Sequence, residues 1–155
     1  MGFDQAAVDS LFDQVVSNAM ELGIFRSVNS HEPKSAPGDG LRCAIWVDEI
    51  IPLPQASGLN VTTGKVTLNV RIYGNMLTKP EDEIDPRLST AATTLLSEYS
   101  GAFTLGETVR NIDLLGAFGA PLGARAGYMT IDSHMYRVMT ITLPVVVNDM
   151  WDQVA

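Results

Sequence analysis

Residues 65–73 read Lys-Val-Thr-Leu-Asn-Val-Arg-Ile-Tyr. Val66, Leu68, Val70 and Ile72 fall on one side, while Lys65, Thr67, Asn69, Arg71 and Tyr73 fall on the other. Side chains of a strand point alternately to its two faces, so this spacing predicts a half-buried β-strand; a helix would scatter the same four apolar residues around its circumference. One face needs a covering layer. The other is expected to meet water or a partner.

Two stretches carry the helical spacing that could supply the layer. Over residues 4–22, Val8, Leu11, Phe12, Val15, Val16, Ala19 and Leu22 make one stripe, with Asp4 as N-cap and Gly23 as the stop. Over residues 86–100 the stripe is Leu88, Ala91, Ala92, Leu95, Leu96 and Tyr99. The pair Asp85-Pro86 predicts an N-cap followed by proline at the first helical position, and Gly101 is expected to end the helix.

Between these stretches the chain reads as strands and turns. Residues 24–28 suit a short strand or a connection, and the Pro/Gly-rich stretch 30–40 an exposed loop. Residues 41–51 are expected to form a strand with Cys43, Ile45 and Val47 inward and Trp46 and Asp48 outward. The connection 52–64 is long for a hairpin and is expected to act as a contact arm. Further strands are predicted at 109–115, 128–132 and 136–147, the last two paired across a turn at Asp132-Ser133-His134. Pro144 lacks a ladder donor and predicts an edge or a bulge. Residues 148–155 read as a short acidic tail. The reading is one α+β domain with an antiparallel or mixed sheet, covered on one face by two amphipathic helices.

Composition narrows this only slightly. A chain of 155 residues can bury roughly 70% of its unfolded surface, so neither metal nor disulfide is needed for folding. Cys43 stands alone and reads as a buried, inert thiol. The net charge is −8, and the basic residues are dispersed, which argues against a nucleic-acid-binding surface. No apolar run is long enough to span a membrane, and no secretion signal is visible, so a protein made and used in the cytoplasm is expected.

Candidate chemistry is sparse. His31 and His134 have no Cys or His at ligand spacing and suit solvated turns. The acids Glu81, Asp82, Glu83 and Asp85 suggest a cation site, but they fit the start of a helix better. No serine sits in a nucleophile elbow, and the glycine-rich stretch 116–127 lacks the Lys-Ser/Thr of a phosphate loop. No catalytic residue, cofactor or metal is therefore expected.

Contact residues are easier to nominate. Trp46 is either covered by a loop of its own chain or an interface anchor. The polar face of the central strand offers Lys65, Asn69 and Arg71. The connection 52–64 offers Leu59 and Asn60, and the stretch 116–127 offers Phe118, Leu122 and Arg125. Glycines in that last stretch permit close approach of a neighbouring subunit, or simply a flexible hairpin connection.

The order of elements resembles that of the tail terminator proteins of long-tailed bacteriophages, the minor tail proteins that cap the tail tube. The likeness rests on the N-terminal helix, the strand pair over 41–73 with its long connection, the helix at 85–100 and the closing strands. The stretches Val-Arg-Asn-Ile-Asp-Leu-Leu-Gly from Val109 and Tyr-Arg-Val-Met-Thr-Ile-Thr-Leu-Pro-Val-Val-Val-Asn-Asp from Tyr136 add to it. The resemblance implies a structural virion protein, not an enzyme, assembled in the host cytoplasm. It implies a homo-oligomeric ring, typically a hexamer, at the head-proximal end of the tail. Its partners would be the tail-tube protein and the head-side connector, with DNA passing through the lumen without sequence-specific binding. Another head-completion or neck ring, a small α+β enzyme and a plain binding module are the competing readings.

Overall fold

The computed structural model describes residues 4–58, 60–77 and 81–153. Its centre is a pair of long antiparallel strands, β3 (Val61–Asn75) and β6 (His134–Asp152). On the far side of β3 lies β2 (Arg42–Pro52), antiparallel to it, and beyond that the short parallel strand β1 (Ser27–Asn29). The other flank of β6 carries two strands end to end: β5 (Gly123–Ile131) along its first half and β4 (Asn111–Ile112) further on. The result is a mixed six-stranded sheet.

The predicted alternation along β3 is real. Val66, Leu68, Val70 and Ile72 are all fully buried on one face. They share a core with Cys43 and Ile45 of β2 and with Ile141, Leu143, Val145 and Val147 of β6. Two helices complete that core, α1 (Gln5–Glu21) through Leu11, Val15 and Ala19, and α2 (Ile84–Gly101) through Leu88, Ala91, Ala92, Leu95 and Tyr99. The Asp4 carboxylate caps α1 by accepting from the Ala7 N–H at 3.0 Å. The buried Tyr99 hydroxyl ties the helices together by donating to the Val15 carbonyl at 3.0 Å.

Several expectations are corrected. Helix α2 begins before the Asp85-Pro86 pair, because the largely buried Ile84 joins the core and draws the first turn in with it. Asp85 thus lies in the first turn, where it accepts from Arg137 Nε at 2.8 Å. Val47 keeps the register of the inward face, opposite Leu68, but is 38% exposed. The alternation breaks just after it, at a bulge between Val47 and Glu49. The strand predicted over 109–115 shrinks to Asn111–Ile112. The residues read as a C-terminal tail continue β6 as far as Asp152, which pairs with Val61. β5 starts at Gly123, inside the stretch read as a loop, and turns into β6 through Asp132 and Ser133, both at positive φ. That is the two-residue hairpin geometry suited to the twist of the strands. Pro144 lies neither at an edge nor in a bulge: it pairs with Thr67 inside the sheet. Its carbonyl accepts from the Asp113 N–H at 2.9 Å, so its donorless nitrogen faces the same flank, where β5 has ended and β4 begins.

Cys43 is buried in the core, and burial pushes its pKa from 9.0 up to about 12. The neutral thiol should stay unreactive to a maleimide or alkylating reagent at pH 8 until the protein is unfolded with urea; rapid labelling of the native protein would contradict its placement. The unfolded chain releases this proton from about pH 9.0, the folded protein only near 12. The folded state therefore holds the extra proton in that window, and stability falls as pH rises, by at most about 1.4 kcal/mol per unit. Burial likewise raises the Tyr99 hydroxyl, which adds to the alkaline loss.

Candidate interaction surface

The face of the sheet away from the helices is not one open surface. Its two ends are closed by loops of the same chain. At one end, the loop after β1 lies over Tyr73 and Tyr136, whose rings meet edge to face at 6.2 Å. It is fastened there by the Ala36 N–H donating to the Asp132 carboxylate at 2.9 Å, and by the Gly38 N–H donating to the Tyr136 hydroxyl at 3.2 Å. The loop read from residues 30–40 is exposed as expected, and its inner side also covers this end of the sheet. Tyr73 Oη is buried, with no hydrogen-bond partner among the described residues. Burial raises its pKa, and the adjacent Arg71 lowers it in part.

At the other end the turn between β4 and β5 folds over the flank of β6. Lys65, only 4% exposed, donates from Nζ to the Phe118 carbonyl at 3.1 Å. The Asp113 carboxylate, also buried, accepts from the Ala117 and Phe118 N–H groups at 2.7 and 2.9 Å. Gly116 and Gly119 make the turn tight enough, both at positive φ. A Cβ at Gly116 would strike the Gly119 carbonyl, and one at Gly119 would stand 2.8 Å from the Lys65 ammonium. The glycines here serve packing within the chain.

Between these covers lies an open window. Register places Ala44, Arg71, Thr140 and Arg125 in one row across β2, β3, β6 and β5, and Trp46, Asn69, Thr142 and Gly123 in the next row on the same face. Arg71 donates from Nε to Thr140 Oγ1 at 2.8 Å, and its guanidinium stands 5.1 Å from the centre of the half-buried Trp46 ring. Beside it is a cavity of about 460 Å³ lined by Arg71, Arg125, Gly127, Met129, Thr140 and Thr142. No carboxylate pairs with Arg71 or Arg125 among the described residues. In a chain of net charge −8, this makes the window a local basic spot with an aromatic wall.

Four of the nominated residues therefore converge: Trp46, Asn69, Arg71 and Arg125. Lys65 and Phe118 do not join them, being spent on closing one end of the face. Leu122 packs, half buried, against the main core. Asn60 sits in the connection between β2 and β3, which is not a free arm. Its carbonyl accepts from the Gln153 N–H at 2.6 Å, and Gln153 Nε2 donates to the Gly58 and Val61 carbonyls, each at 3.1 Å. Leu59 lies outside the described residues. Thr140 and Thr142 were not singled out in the sequence, although their alternation with Ile141 and Leu143 signals an outward polar row. His31 and His134 are exposed, well apart in sequence and on different elements. No group of three or more His, Cys, Asp or Glu side chains able to hold a metal ion occurs among the described residues.

No protein-family model matches the chain, and a search of curated proteins finds no match.

Proposed function

We propose that the chain is a ring-forming structural protein of a bacteriophage tail, the terminator that stops tube growth and joins the tail to the head-side connector. The observation that carries this reading is an asymmetry in the sheet. The helices share a core with β2, β3 and β6, but β5 contributes no buried residue to it. Along β5, Ala124, Arg125, Ala126, Tyr128 and Thr130 are exposed, and the arginine-and-tryptophan window lies alongside. One flank of the sheet is thus left open along β5, and at the opposite flank β2 is exposed from Val47 to Ile50. A ring needs that arrangement: two different patches on each copy, closing after a fixed rotation.

The test is a tube-assembly reaction. Tail-tube protein polymerises in the presence of increasing amounts of this protein, and tube lengths are read by electron microscopy. A terminator shortens the tubes in proportion to its concentration and is found at one end only. Tubes of unchanged length, or labelling along the whole wall, would remove the reading. Finding the protein on the head side of the junction would favour a neck ring instead.

A further inference from the structure

Besides the outer edges of the short strands β1 and β4, two long stretches of strand edge have no strand beside them among the described residues. β5 pairs only with β6 along its nine residues, so the outward backbone groups of alternate residues are open on its other side. β2 is flanked by β1 only at residues 42–44, so its outer edge is open from Ile45 to Pro52. Open edges present unpaired N–H and C=O groups and are usually blunted by charged side chains, proline, a bulge or a cover. β5 carries a single such device, Arg125, in the sequence Gly-Ala-Arg-Ala-Gly-Tyr-Met-Thr-Ile. The open part of β2 reads Ile-Trp-Val-Asp-Glu-Ile-Ile-Pro, with two acids and no base. Val47, Asp48, Glu49 and Ile50 are all exposed there, around the bulge.

From this we infer that the open edge of β5 in one copy pairs with the open edge of β2 in the next copy, Arg125 lying against Asp48 and Glu49. The inference deepens the ring reading and rests on it. Charge selects the partner. Two β5 edges together bring only basic charge and two β2 edges only acidic charge, whereas β5 on β2 brings opposite signs together. Direction also fits. β2, β3, β6 and β5 are successively antiparallel, so β2 and β5 run opposite ways. Rotation about the ring axis then brings the next β2 antiparallel to β5; because Arg125 lies level with Ala44, where β1 already flanks β2, the axis is inclined to the strands, so that the next copy is displaced by about four residues and Arg125 meets Asp48. Such a contact is head-to-tail, as ring closure requires.

Cross-linking tests this directly. Glu49→Cys and Arg125→Cys are made separately and together, both at exposed positions, with the buried Cys43 expected to give no background. A short bifunctional maleimide is added under conditions where light scattering shows the ring. The mixture of single variants should give roughly tenfold more mixed dimer than either variant alone gives of its own dimer. The double variant should give a ladder ending at the ring mass. An intact ring without cross-links, or equal yields of same-variant dimers, would overturn the edge pairing and leave the ring standing. A protein that stays monomeric, alone and with tail-tube protein, would overturn both.

Discussion

Leu68→Ala is expected to cost about 3 kcal/mol of folding stability, near the middle of the range for leucine truncation in a closed core. Leu68 has no exposed surface and is held between the helical layer and its neighbours on β2 and β6. Its removal loses the transfer energy of three carbons and leaves a cavity that two paired strands cannot collapse. The control is another leucine. Leu115 is 95% exposed, and Leu115→Ala should stay within about 0.5 kcal/mol of the parent. Urea unfolding with unchanged slopes measures both. Equal effects at the two positions would mean that the β3 alternation does not define the core.

The second large effect belongs to Asp113. Its carboxylate organises the turn that closes one end of the outer face by holding two backbone donors. Asp113→Ala should cost about 2 kcal/mol, since charge-assisted bonds are lost and a half-buried N–H is left to find water. Asp113→Asn keeps one acceptor oxygen and should cost about half as much. The local effect should exceed the global one: the turn should become a site of limited proteolysis near Phe118 while the rest of the chain remains resistant. Unchanged protection in Asp113→Ala would show that Lys65 and the glycines hold the turn without the carboxylate.

Helices and central strands were legible because their signals are local. The stripes of α1 and α2 and the alternation of β3 lie within single windows of sequence, and each predicts a buried face that exists. The start of β5 was not legible. Gly-Ala-Arg-Ala-Gly has poor intrinsic strand preference, and it is extended because β6 supplies a ladder along its whole length. The reverse error occurred at 109–115, where alternation suggested a full strand. Pro144 offers no donor to the chain beside it, and the Asp113 carboxylate turns the backbone back on itself, so pairing stops after Ile112.

The outer face shows the same limit at longer range. Its polar residues were readable, but not which of them the chain itself covers. Lys65 is capped by a carbonyl 53 positions away, and the loop over Tyr73 is pinned to an aspartate 96 positions away. Neither contact leaves a trace in local spacing. What remains uncovered is Trp46, Asn69, Arg71 and Arg125, brought together by strand register alone.

The most direct measurement is the mass of the protein in solution, by light scattering across a concentration series, alone and with tail-tube protein. The account predicts a closed ring of defined mass, or a monomer that becomes one on the tube end. A monomer at every concentration, indifferent to tube protein, would contradict it.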